Sequence, residues 1–155
     1  MRFENLTLDI RPPLAEIRLR PPASGAALDR RSLDEIDAAC ARIHDEAAVV
    51  VALLTAEGAA WSRGSALAAQ PERGTLPFRS LELMGQPVIA VIEGDASGGG
   101  LELALACDLR VASQGATFAL PAVSEGAVPS GGATARLPRL IGRARASAMI
   151  LLGEP

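Results

Sequence analysis

The 155-residue sequence contains no lysine and no tyrosine, a single histidine (His44) and only two cysteines, Cys40 and Cys107. Each scarcity removes a class of chemistry. Without lysine there is no Walker-type phosphate-loop lysine and no Schiff-base amine. One histidine cannot build a multi-histidine metal site, and two separated cysteines are too few for a zinc cluster or a disulfide scaffold. No metal site is expected. Both cysteines stand in apolar, helix-like contexts that suit buried free thiols. A Ser-His-Asp triad would have to recruit His44, which lies in a polar amphipathic stretch and reads as a solvated helix face. No G-x-S-x-G elbow occurs either.

Charge and hydropathy exclude further classes. All fifteen basic residues are arginines scattered along the chain, and the net charge of -3 offers nucleic acid no anchor. No apolar run approaches a membrane span, and the longest, residues 47–56, has the size of a strand. Charged residues (Arg2, Glu4, Asp9, Arg11) interrupt any secretory leader pattern, so a cytoplasmic location is expected. A content of 49% hydrophobic and 21% charged residues predicts a soluble folded domain with a real core.

Alternating apolar and polar residues predict strands over 3–10 and 14–19, joined by a tight turn at Pro12-Pro13. Ser32-Leu33-Asp34-Glu35 reads as a capping box, with Ser32 the cap of a helix running to about Asp45. Residues 48–55 and 88–92 are continuous aliphatic runs, the pattern of buried parallel strands. Between them a turn-rich loop is expected over 58–65, a surface loop over 70–75 and a short helix over 76–84. A loop after Gly94, a helix over 99–107, a strand over 109–112 and an extended piece over 117–120 follow. Another turn-rich loop, 126–132, precedes helical segments over 135–141 and 143–152. Strands alternating with helices indicate an α/β fold, with neither a sequence repeat nor a linker that divides it.

The segment richest in chemistry is Gly98-Gly99-Gly100-Leu101-Glu102. A buried strand ends, glycines allow a ligand to approach the backbone, and a helix begins. The first turn of a helix has unpaired N–H groups and a positive dipole end, suited to an anion or a developing oxyanion. The third glycine of a dinucleotide fingerprint is missing, which argues against NAD. Glu102 is the only charged residue between Ala96 and Cys107, on a helix apolar nearly all round. A carboxylate buried there has a raised pKa and can move protons near neutral pH. The plainer alternative is a first-turn glutamate that only favours its own helix dipole, worth about 0.3–1 kcal/mol.

These residues, with Cys107-Asp108, Phe118, the 126–132 loop, Arg136-Leu137 and the earlier Trp61-Ser62-Arg63-Gly64-Ser65-Ala66 segment, resemble the enoyl-CoA hydratases and isomerases of the crotonase superfamily. The resemblance spans nearly the whole chain. It implies an α/β spiral of repeated ββα units forming one core domain over residues 1–155, and an acyl-CoA thioester as substrate. Coenzyme A would enter with the substrate, with no separate cofactor. The oxyanion-hole donors it implies are the backbone N–H groups of Ser65 and Gly99, with Glu102 the catalytic carboxylate. Arg63, Gly64, Gly98 and Gly100 would lie along the substrate.

Three departures qualify the resemblance. Ala122 stands where the hydratases carry a second glutamate, in Phe118-Ala119-Leu120-Pro121-Ala122, and Glu125 is a candidate substitute or a plain surface carboxylate. Ala66 replaces the aspartate of the family's F-x-x-G-x-D segment. The chain also ends where relatives continue into helices that cover the acyl pocket and build a trimer or hexamer, so an apparent C-terminal truncation is expected. The alternatives implied are a single-carboxylate relative (an isomerase, a decarboxylase or a cofactor-free aryl-acetyl-CoA dioxygenase) and a non-catalytic acyl-CoA-binding or assembly subunit.

Overall fold

The computed structural model describes residues 3–20, 28–58, 60–64 and 78–153. Strand β1 (Leu6–Arg11) pairs antiparallel with β2 (Leu14–Leu19), and the alternation of β2 turns Ala15, Ile17 and Leu19 into the core. Helix α1 (Arg30–His44) packs Ile36, Ala39, Cys40 and Ile43 beneath them, at the spacing of one apolar helix face.

From β3 onward the chain repeats one path. Strand β3 (Val51–Ala56) is followed by β4 (Ala60–Arg63) and α2 (Arg79–Leu83), and β5 (Val88–Ile92) by β6 (Asp95–Ser97) and α3 (Gly99–Ala106). Strand β7 (Leu109–Ala112) leads to β8 (Phe118–Ala119), a 3-10 turn (Pro121–Glu125) and α4 (Ala133–Ile141). A last helix, α5 (Arg143–Leu152), closes on that turn. One sheet has the order β1-β2-β3-β5-β7 and the other β4-β6-β8, with β3, β5 and β7 parallel neighbours in the first and all strands parallel in the second. Each circuit therefore adds one strand to each sheet, which is a spiral of ββα units. The repeat is one of path, carried by different residues at each level, and so leaves no sequence repeat.

The spiral has two apolar cores. The larger lies between the five-stranded sheet, α1 and one side of α3. The smaller joins Leu101 and Leu105 of α3 to Leu120, Ala133, Leu137 and Ala146. Among the described residues no helix is long and apolar enough to cross a membrane.

The structure corrects three expectations. Residues 60–63, expected as loop, form β4, and residues 95–97 form β6. Both strands are too short for their alternation to register as a period. The expected loop over 70–75 lies outside the described residues, and α2 is shorter than expected. Helix α1 is capped by Asp29 instead of Ser32. The Asp29 Oδ1 atom accepts from the Ser32 N–H at 2.7 Å and the Ser32 hydroxyl at 2.8 Å, because Asp29 stands three residues ahead, where a cap reaches that amide. Glu35 is thereby released to the sheet. Its carboxylate accepts from the N–H groups of Glu4 (2.9 Å) and Asn5 (2.8 Å), tying α1 to the entry of β1.

Glu35 is buried with both oxygens engaged, whereas Asp34 beside it meets only Arg30 in an exposed pair. Replacing Glu35 by alanine should cost about 2 kcal/mol in urea denaturation, the value of charged hydrogen bonds to buried amides. Asp34→Ala should cost less than about 0.5 kcal/mol.

Candidate active site

Strand β6 stops at Ser97, and Gly98 swings the chain into α3 with φ 53° and ψ -123°, a conformation open to glycine alone. A side chain there would also come within 3.1 Å of the Gly64 Cα atom, where β4 ends alongside. The two turns are sewn together, since the Gly64 N–H donates to the Ser97 carbonyl and the Gly98 N–H to the Ala119 carbonyl, each at 2.9 Å. The Gly98 amide is thus spent on the sheet. The Gly99 amide, first of α3, has no acceptor within its own helix, and Gly99 is among the residues that line the cleft above.

All eight residues of α3 are buried. Leu103 and Ala104 face the larger core, while Leu101 and Leu105 face the smaller one. Gly100 presses on β4 so closely that an added Cβ would fall 2.5 Å from the Ser62 carbonyl oxygen. Gly100 is not among the residues that line the cleft, and the contact seen for it is this packing against β4. At the other end, the Arg110 guanidinium donates to the carbonyls of Ala104 (3.1 Å) and Cys107 (2.7 Å), closing the helix C-terminus. The helix is therefore anchored at its base and open at its N-terminal end.

Glu102 leaves this helix sideways. Only 6% exposed, it accepts through Oε1 from the N–H groups of Gly131 (2.7 Å) and Ala133 (3.2 Å), at the start of α4. The carboxylate thus serves the N-terminus of a neighbouring helix and not that of its own. Burial pushes its pKa above the usual glutamate range, against the pull of the Ala133, Gly131 and Ser130 amides and the charge of Arg136.

The cleft beside it brings together Gly64, Gly98, Gly99 and Glu102 with Ala122 and Glu125, and Leu120, Val128 and Pro129 supply apolar wall. Ala122 is buried, and Glu125 is exposed at the end of the 3-10 turn. Ser65 and Ala66 lie outside the described residues, and of Arg63 the backbone alone is placed, in β4 beside Ser97. The remaining reactive side chains are elsewhere. His44 is exposed at the end of α1, away from the cleft. The thiols of Cys40 and Cys107 are buried, and burial raises them to about 11 and about 12. Among the described residues no cluster suits a metal ion.

The sequence matches the family described as enoyl-CoA hydratase/isomerase over residues 9–155. The chain belongs to this family, within the crotonase superfamily. It is 37% identical to a crotonyl-CoA hydratase of Syntrophomonas wolfei and 32% identical to a short-chain-enoyl-CoA hydratase of Clostridium acetobutylicum, in each case over 99% of this chain. It spans 64% of the length of either relative. A crystal structure from Geobacillus kaustophilus, described as enoyl-CoA hydratase subunit I, superposes with a TM-score of 0.86 at 35% identity. That likeness covers 97% of this chain and 62% of the other.

For this member of the family, the donors that hold Glu102 were not apparent from the sequence. The sequence pattern gives residues 126–132 as a turn-rich loop and assigns no role to the amides of Gly131 and Ala133, although a glycine pair ahead of a helix start marks amides free to receive a carboxylate.

Because its folded pKa is raised, Glu102 stays protonated in the folded chain over a window above its unfolded value. Its contribution to stability is present below the unfolded value and is lost as pH rises through the folded one. Thermal unfolding of wild type and Glu102→Gln between pH 4 and pH 8 should therefore show the variant gaining on the wild type as pH increases. A constant difference across that range would mean that Glu102 ionises as easily in the folded chain as in the unfolded one.

Proposed function

We propose that this chain acts on acyl-CoA thioesters by stabilising an enolate, as an enzyme of the enoyl-CoA hydratase/isomerase type. The observation that carries this reading is that Gly99, the first residue of α3, and the buried Glu102 line one cleft. The names of the relatives, crotonyl-CoA hydratase and short-chain-enoyl-CoA hydratase, support the substrate class. The thioester oxygen accepts from the backbone N–H of Gly99, with Ser65, next to the cleft residue Gly64, as the second donor. In isomerisation the ionised Glu102 takes a proton from the carbon next to the thioester. The electron pair moves onto the oxygen held by the amides, and Glu102 then returns the proton to another carbon of the chain. In hydration Glu102 takes a proton from water as its oxygen adds to the double bond, and then gives that proton to the enolate carbon next to the thioester. A donor aimed at such an oxygen lowers the barrier by about 3–4 kcal/mol. Coenzyme A arrives as part of the substrate, and no separate cofactor takes part.

One observation favours a narrower chemistry. The cleft holds a methyl group at Ala122, and of its two carboxylates only Glu102 is buried. A single group that takes and returns the same proton fits this arrangement better than two carboxylates sharing one water. That describes an isomerase, and the decarboxylase and dioxygenase alternatives likewise form the enolate without a second carboxylate. Leu140, Leu151 and Leu152, exposed on α4 and α5, support association as a homo-oligomer, which we place in the cytoplasm.

Turnover of crotonyl-CoA and a panel of other acyl-CoAs, with and without oxygen, tests these readings. Glu102→Gln should lose at least about a hundredfold in rate, while Glu125→Gln keeps most of it. Equal rates for wild type and Glu102→Gln would remove Glu102 from the mechanism. Acyl-CoA binding by calorimetry with no turnover of any panel member would make the chain a binding subunit.

A further inference from the structure

Gly131, whose N–H donates to Glu102, is held on its carbonyl side as well, in the peptide that follows. The Gly131 carbonyl accepts from the Arg136 guanidinium through Nη1. Arg136 in turn donates through Nε to the Glu82 Oε1 atom at 2.9 Å, and through Nη2 to the same oxygen. Gly131 thus stands between two contacts, its N–H on Glu102 of α3 and its carbonyl on Arg136 of α4, and Arg136 reaches on to Glu82 of α2. Gly132 makes room for it. With φ 95°, it leaves the guanidinium in the space where any side chain at this position would stand, 2.2 Å from the Arg136 Nη1 atom.

An ordinary surface ion pair between α2 and α4 would account for the Glu82 contact alone, and pairs at such exposure contribute little, about 0–1 kcal/mol. It does not account for the third contact, in which one arm of the guanidinium turns back to the carbonyl of the residue whose N–H serves Glu102. A charge-assisted bond to that carbonyl fixes the plane of the Gly131–Gly132 peptide, and so restrains the Gly131 backbone that carries the donating N–H. The Arg136 side chain is only 20% exposed, so water screens this contact less than it would an exposed one.

We propose that Arg136 is a positioning residue for Glu102, holding Glu82 and the Gly131 carbonyl at once so that the Gly131 amide fixes where the carboxylate stands. The inference rests on the reading of Glu102 as the proton-moving group. Among the described residues, the charged groups around Glu102 are Arg136 from α4, Glu82 behind it on α2, and Glu125 across the cleft. Arg136 is the cation among these, and its charge draws the carboxyl toward ionisation.

The test compares wild type, Arg136→Gln and Arg136→Lys by the pH dependence of kcat and KM on the best acyl-CoA, and by carbon-13 NMR titration of the Glu102 carboxyl. Arg136→Gln should lower kcat about tenfold with little change in KM, because alignment and not binding is lost. It should also move both the acidic limb and the NMR midpoint upward by about half a unit to one unit. Arg136→Lys keeps the charge and should return the midpoint close to wild type. It should recover only part of kcat, since one ammonium cannot span both partners. Wild-type kcat and midpoint in Arg136→Gln would overturn the proposal, leaving Arg136 a strut between helices. Complete recovery of kcat in Arg136→Lys would overturn the bridging role. If Arg136→Gln does not fold, Arg136→Lys decides the matter by the same split between rate and midpoint. The NMR titration needs no turnover, so a chain inactive on every acyl-CoA would defeat the proposed function and still leave this midpoint comparison readable.

Discussion

A glutamate carboxylate 6% exposed must find donors inside the protein, and here they are the amides of Gly131, just ahead of α4, and Ala133, its first residue. Placing an anion in low dielectric without partners costs far more than a domain's margin of stability. The start of a helix is the most economical source of donors, because its leading N–H groups lack acceptors in their own helix. Glu102 and α4 therefore complete one another: the carboxylate becomes tolerable and the helix gains a cap. The close fit of the Gly131-Gly132 turn follows from this. A Cβ on Gly131 would stand 2.9 Å from the Glu102 Cβ atom, so the turn can only approach as glycine.

The spiral puts these pieces within reach of one another. Each circuit adds one parallel strand to each sheet and returns the chain to the same side, so the turns after β4, β6 and β8 lie next to one another. The Gly64 and Gly98 turns contribute the backbone near the cleft, and the turn after β8 brings in Ala122, Glu125 and then α4. Helix α3 lies between two cores and has almost no solvent-facing side, so its polar end is confined to the cleft. The rigidity of that helix is what turns an amide and a carboxylate into a site. Glu102 stands one turn into the helix from Gly99, and neither can shift without disturbing both cores.

Long aliphatic runs and the glycine-rich turn were legible in the sequence. Strands β5 and β7 fall on the residues their patterns predict, and the burial of Glu102 follows from an apolar surrounding that leaves it nowhere else to go. What escaped was set by partners distant in the chain. Asp29 and Ser32 are both good caps, and Asn5, just ahead of β1, donates to both side chains and holds them where Asp29 caps the helix. Glu35 looked like the closing member of a capping box, but the sheet entry offered it two amides. Strands β4 and β6 have too few residues to show a period, and exist because parallel neighbours supply their hydrogen bonds. Arg136 was visible as part of a motif, yet nothing local connects it to a peptide five residues back and a helix 54 residues away.

Ala122 and the raised pKa of Glu102 bear on each other. Where two carboxylates share the work, one can stay ionised as base while the other stays protonated as acid, and their environments separate them. A lone carboxylate must do both, accepting a proton in one half of the reaction and releasing it in the next. Brønsted behaviour favours a pKa near the working pH for such a group, because each state must be accessible in turn. Burial moves Glu102 in that direction, and the amides at the start of α4 and the charge of Arg136 restrain the shift. On the proposed mechanism both effects matter, since a carboxyl that never ionised could not begin the reaction and a solvated carboxylate would be too weak a base to take a proton from carbon. The capping of α4 thus fixes the basicity of Glu102 as well as its position, and a cleft with alanine at 122 depends on both.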